Sequence, residues 1–117
     1  MFECGQGQEL GMGVYPSFIA GIVESDRRRQ ADKLQPGDVL TPIREPDNPH
    51  DADAVKLVSP TKLALGYIPR KHAGWVAERV DKGRDIKIEV AHVRREGWWR
   101  WKRVYVDIEI RTGADAS

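Results

Sequence analysis

Two stretches in the second half of the chain alternate apolar and polar residues with a period of two. Ile86, Ile88 and Val90 alternate with Lys87, Glu89 and Ala91, and Val104, Val106, Ile108 and Ile110 alternate with Tyr105, Asp107, Glu109 and Arg111. Successive side chains of a strand point to opposite faces, so this period belongs to strands buried on one side only. Glu96-Gly97 lies between the two stretches and supplies a turn. A long hairpin with one dry face has to be covered, and the rest of the chain must provide the cover.

The other apolar runs are short. Phe18 to Val23 reads as a buried strand with Gly21 at a bend, and Ser25 to Lys33 as an exposed loop or surface turn. Gln35-Pro36-Gly37-Asp38 is a turn signal, since Pro presets the entering φ and Gly accepts a positive one. Strands are expected at Val39 to Arg44, Ala54 to Val58 and Ala64 to Ile68, the last two joined as a hairpin by Ser59-Pro60-Thr61. From Pro69 the period changes. Ala73, Val76, Ala77 and Val80 make one helical stripe, with Gly83 placed to cap its end. The expectation is a mainly β protein: a small, partly open β-barrel, OB-like or SH3-like, of about six strands with one α-helix. The barrel domain is assigned to residues 16–112, between a glycine-rich lead-in at 1–15 and a short polar tail at 113–117.

Composition narrows the function classes. The chain has 117 residues, room for one core and no second catalytic lobe. No apolar stretch approaches the length of a bilayer span, and the start does not read as a secretory signal, so no membrane role and a cytoplasmic setting (nucleoid-associated if bacterial) are expected. Cys4 is the single cysteine, which rules out an internal disulfide and a cysteine-based zinc site. His50, His72 and His92 are not spaced as a ligand set, so neither metal nor cofactor is expected. A formal net charge of +1 leaves any polyanion binding to local patches.

The most informative segment is the loop Arg44-Glu45-Pro46-Asp47-Asn48-Pro49-His50-Asp51-Ala52-Asp53. Two prolines stiffen it, so its polar groups can be aimed with little ordering entropy lost on binding. The same residues also suit a purely structural turn, because Asn and Asp bond their own backbone. Asp47, Asn48, Asp51 and Asp53 offer oxygen ligands for calcium, but without an EF-hand's spacing. A metal-dependent nuclease built on Asp47, Asp51 and Asp53 is the catalytic alternative.

The wider string, Arg44-Glu45-Pro46-x-Asn48-Pro49-x-Asp51-x-x-Ala54-Val55 followed by Gly66-Tyr67-Ile68-Pro69-Arg70 and a helix containing Ala73, resembles the HIRAN family from about Phe18 to the last strand. The resemblance implies an oligonucleotide-binding-like barrel that holds the 3′ end of single-stranded DNA, works in DNA repair or fork processing beside a helicase or nuclease, and catalyses nothing itself. It implies that Asp51 accepts a hydrogen bond from the terminal 3′-hydroxyl, that Asp47 and Asn48 fix the loop and last nucleotide, and that a base stacks on Phe18. Arg44 belongs with these binding residues. Tyr67 and Lys71 would lie near the backbone, with Lys71 neutralising a phosphate. Two positions depart from the pattern: His50 replaces a second stacking tyrosine and Ser17 an arginine.

A second candidate patch surrounds the last turn, where Arg94, Arg95, Arg100, Lys102 and Arg103 flank Trp98, Trp99 and Trp101. Cations beside exposed rings suit single-stranded nucleic acid, and the same residue types suit a protein-docking surface, so an interaction adaptor is the competing reading. Unbroken alternation would put Trp99, Trp101 and Tyr105 on one outward face. Arg27, Arg28 and Arg29 read as a solvated loop face, with backbone phosphates as the alternative.

Overall fold

The computed structural model describes residues 13–22, 25–98 and 103–113. Strands run at Gly13–Phe18 (β1), Val39–Arg44 (β2), Val55–Val58 (β3), Ala64–Tyr67 (β4), Ile86–Glu96 (β5) and Arg103–Thr112 (β6), with helices at Ser25–Ala31 (α1) and Arg70–Asp81 (α2). The six strands form one antiparallel sheet in the order β1-β6-β5-β2-β3-β4. Just beyond β1, Ala20 forms a two-way bridge with Tyr67 of β4, each amide donating to the other's carbonyl at 2.8 Å. The two ends of the sheet are therefore joined by two hydrogen bonds. This is the mainly β, partly open barrel expected.

The inward residues of the strands make the core. Leu40, Leu57, Leu65, Ile88, Ile108 and Ile110 are all buried, together with Ala73, Val76 and Ala77 from the helical stripe. Helix α2 ends as anticipated. Gly83 has φ +67°, its amide donates to Val80 O, and the Arg84 amide donates to Arg79 O, the paired bonds of a Schellman ending. Trp75 closes one end of the core, its ring 5.0 Å from Tyr15 and its indole N–H donating to His72 Nδ1 at 3.3 Å.

Three expectations are corrected. The strand expected at Phe18 to Val23 lies one segment earlier, at Gly13–Phe18, where it pairs with β6 through Tyr15↔Ile110 and Ser17↔Ile108. Among the described residues of the apolar run only Ile19 is buried, Ala20 makes the seam bridge and Gly21 turns the chain at φ +81°. Gly13 to Tyr15, placed in the lead-in, are strand residues, while 1–12 and 114–117 lie outside the described residues.

The segment from Ser25 is not a loop but helix α1, a second helix beside the expected one. Seven residues make a marginal helix in isolation. This one persists because Ala31, and Leu34 just beyond it, reach the core, and because Arg95 grips its end through the Asp32 carboxylate and carbonyl.

The hairpin turn begins at Gly97, φ +76°, because Glu96 still pairs with Arg103 as strand. Between Val90↔Ile108 and His92↔Asp107 the β5–β6 register slips by one residue, a bulge at Ala91. Beyond it Val93 points inward and Arg94 outward, and Arg95 comes onto the side from which it reaches α1.

Candidate nucleic-acid interface

The Arg44–Asp53 loop is held by its own groups. The Glu45 amide donates to Ala54 O, the Asn48 amide to Glu45 O and the Ala54 amide to Asp51 O, each at 3.0 Å. Asn48 Oδ1 accepts from the amides of His50 and Asp51 while its Nδ2 donates to Glu45 Oε1, so this side chain is committed to the loop's shape. Asp51 Oδ1 accepts the Asp53 amide at 2.9 Å.

Arg44 is also internal. Its Nε donates to Asp81 Oδ1 at 3.0 Å and its Nη1 to Ala54 O at 2.8 Å, and its side chain is 16% exposed. It ties the loop to the end of α2 while lining the cavity on the loop's other flank.

Between this loop, β4 and the starts of both helices lies a cavity of about 470 Å³ lined by Arg27, Asn48, His50, Asp51, Ala54, Tyr67, Ile68 and Arg70. Arg70 leads helix α2; its Nη2 donates to His50 O at 3.0 Å and its Nε stands 3.8 Å from Asp51 Oδ2. Arg27 reaches across from α1, donating to Gly21 O with its guanidinium carbon 5.6 Å from the Tyr67 ring centroid. Two cations, one carboxylate, an imidazole and a phenol ring thus border one space. A shallower cavity of about 530 Å³ on the loop's other flank is lined by Arg44 to Pro49 and Tyr67, and Asp47 belongs to it. Lys71 is exposed on the first turn of α2 and lines neither cavity.

Tyr67 contributes its ring rather than its hydroxyl. That hydroxyl donates to Glu45 Oε1 at 2.8 Å, and Lys56 Nζ lies 3.4 Å from Glu45 Oε2. The Tyr67 hydrogen bond foremost, then those from Asn48 and Lys56, hold the Glu45 carboxyl below its ordinary value, while burial and then Glu45 itself push the Tyr67 phenol up. A carboxylate with a depressed pKa stabilises the fold fully above its unfolded value near 4.5 and loses that contribution as pH falls through the folded value. The gap in melting temperature between the wild type and Tyr67→Phe should therefore be widest at neutral pH and narrow once the pH falls below 4.5. A gap that stays constant on acidification would mean that Glu45 draws nothing from the phenol.

Phe18, 43% exposed, lies outside the cavity. Opposed residues of antiparallel strands share a face, so the register puts Phe18 beside Asp107, Asp107 beside His92, and Arg94 beside Tyr105. Ser17 points the other way, its Oγ buried without a hydrogen-bond partner.

Much of the described hairpin patch is spoken for. Arg94 lies over the Tyr105 ring at 5.1 Å with its Nε 3.4 Å from Asp107 Oδ2, and Arg95 is the grip on α1. Trp98 is 74% exposed, and Trp99, Arg100, Trp101 and Lys102 lie outside the described residues. No group of three or more His, Cys, Asp or Glu able to hold a metal ion occurs among the described residues.

Sequence reasoning left Arg70 out of the site and held Arg27 only as an alternative phosphate contact. Arg70 had a signal, since it closes the Gly66-to-Arg70 string at a helix start; Arg27 had none beyond charge.

A family model described as HIRAN domain matches residues 12–111. The HIRAN domain of human HLTF superposes with a TM-score of 0.67 at 16% identity, over 90% of this chain and 79% of that one. A protein from Lactobacillus plantarum superposes with a TM-score of 0.63 at 18% identity, over 88% of this chain and 100% of that one. No curated protein matches in sequence. No helix among the described residues is long and apolar enough to cross a membrane.

Proposed function

The chain belongs to the HIRAN family, whose domains are nucleic-acid-binding modules, and from that premise we propose that its loop cavity receives the 3′-terminal nucleotide of single-stranded DNA. The observation that carries this reading is the meeting in one cavity of the Asp51 carboxylate with the guanidiniums of Arg27 and Arg70. An ionised carboxylate only accepts hydrogen bonds, so its ligand must bring a donor such as a hydroxyl; guanidiniums want the opposite, an anionic oxygen. A terminal nucleotide carries both, a free 3′-hydroxyl at one end of the sugar and a phosphodiester at the other. A 3′-phosphate would set negative charge against Asp51.

The imidazole of His50 and the ring of Tyr67 supply flat surfaces for the last base, and Phe18 supplies one for a neighbouring base. Asn48 and Arg44 hold the loop in shape, Asp47 lines the cavity on the loop's other flank, and Lys71 is exposed on the first turn of α2. A HIRAN domain is a binding module and not by itself a catalytic one. We read this chain accordingly as a strand-end holder that serves DNA repair or fork processing beside a helicase or nuclease.

Fluorescence anisotropy with oligonucleotides ending in a 3′-hydroxyl, ending in a 3′-phosphate, or circularised tests the reading. The 3′-hydroxyl strand should bind about tenfold tighter, about 1.4 kcal/mol, and Asp51→Ala should erase that preference. Equal wild-type affinity for all three strands rejects end recognition.

A further inference from the structure

Helix α1 packs against both β4 and β6, so it stands between the loop cavity and the hairpin. Its consecutive arginines diverge. Arg27 enters the loop cavity, while Arg28 lines a separate cleft of about 120 Å³ with Ile22, Arg103, Val104 and Tyr105. Arg28 comes from the helix and Arg103 from the first position of β6, 75 residues later in sequence, so the fold rather than the local pattern brings the two guanidiniums to one cleft.

The ring beside them is fixed. Arg94 covers Tyr105 at 5.1 Å and is itself tied to Asp107, while Arg95 is engaged with Asp32, so Arg94 and Arg95 are structural and, among the described hairpin cations, Arg103 borders the cleft. Two guanidiniums around a space this small suit a single tetrahedral anion better than a base, and Tyr105 next to them offers a stacking surface at the rim.

We propose that the Arg28–Arg103 cleft is a second subsite, which takes a backbone phosphate of the same single strand whose end occupies the loop cavity. The proposal rests on the loop-cavity reading and adds a direction to it. With the 3′-hydroxyl at Asp51, the strand leaves the cavity past Arg27 and crosses α1. It meets Arg28 and Arg103 a few nucleotides toward its 5′ side, since a helix with its side chains is about 10 Å wide. Arg27 and Arg28 then serve adjacent stretches of one strand. Of the two readings open to the Arg27-Arg28-Arg29 run, this is the one in which it meets backbone phosphates.

The test compares oligothymidylates of about three and about ten nucleotides, all with free 3′-hydroxyls, across a salt titration. The double variant Arg28→Gln, Arg103→Gln should bind the longer strand about fivefold to tenfold more weakly, with a salt slope smaller by about 0.7, while binding the shorter strand within about twofold of wild type. The pair Arg28→Lys, Arg103→Lys, which keeps the charge, should restore most of the slope, and its recovery separates a phosphate contact from damage to α1. Unchanged affinity and slope for the longer strand in the glutamine double variant overturn the subsite, and the loop-cavity reading stands alone if Asp51→Ala still erases the 3′ preference. A wild-type protein that binds neither strand overturns both readings together.

Discussion

Gly66→Ala is expected to lower the melting temperature by roughly 15 °C, a loss of about 3 kcal/mol, and to weaken strand-end binding with it. Gly66 faces the seam of the barrel. A Cβ there would run into the carbonyl oxygen of Ala20 and meet Ile19 Cγ2 at 2.7 Å. Neither neighbour can yield cheaply: the first is backbone in the Ala20–Tyr67 bridge, and the second is a core side chain 6% exposed. Relief requires the end of β1 to move away from β4, which stretches the two 2.8 Å bonds that join the sheet's ends. Tyr67 lies at that bridge and lines the cavity, so the fold and the site are strained by the same methyl group. Thermal melts read the first effect and oligonucleotide anisotropy the second. A variant that melts within about 3 °C of wild type would show that the seam opens without cost, and the account of closure given above would fail.

Arg44→Met comes next in size. Methionine keeps much of the apolar stem but removes the donors to Asp81 and to Ala54 O. Hydrogen bonds to charged groups contribute about 1.5–3 kcal/mol; Asp81 is half exposed, which discounts its share, and we expect a loss of about 2 kcal/mol and roughly 10 °C. Affinity for a 3′-hydroxyl strand should fall about tenfold through loosening of the loop, with the salt slope of binding unchanged. The slope carries the distinction. A phosphate contact at Arg44 would reduce it by about 0.7, and that result would keep Arg44 among the binding residues.

How much of this could be read from the chain follows from the range of the forces involved. The β5–β6 hairpin, helix α2 and its Gly83 ending were legible because period-two alternation, helical stripes and caps are written in neighbouring residues. The loop was legible as a rigid polar turn for the same reason. Helix α1 was not. Arg, Gln and Ala favour a helix, but seven residues are too few to hold one alone, and its existence depends on Ala31, Leu34 and Arg95 finding partners that only the folded chain supplies. The apolar run after Phe18 misled because apolar character reports burial and not strand pairing; Ile19 is buried at the seam, outside the β1 ladder.

The site divides along the same line. The loop and the Gly-Tyr-Ile-Pro-Arg string, through their resemblance to the HIRAN pattern, pointed to Asp51, His50 and Tyr67, which line one cavity in the fold. They could not say that Arg27 and Arg70 would converge on Asp51, that Arg44 would turn inward, or that Arg95 would become a clamp while Arg103 borders a cleft. The bulge at Ala91 puts Arg95 on the side facing α1, the bridge at Ala20 joins β4 to the chain beyond β1, and Arg44 and Arg70 find their partners 37 and 20 residues away in sequence. Local composition decides which elements form and what chemistry is at hand. Register and closure, which are properties of the whole sheet, decide which of those groups meet.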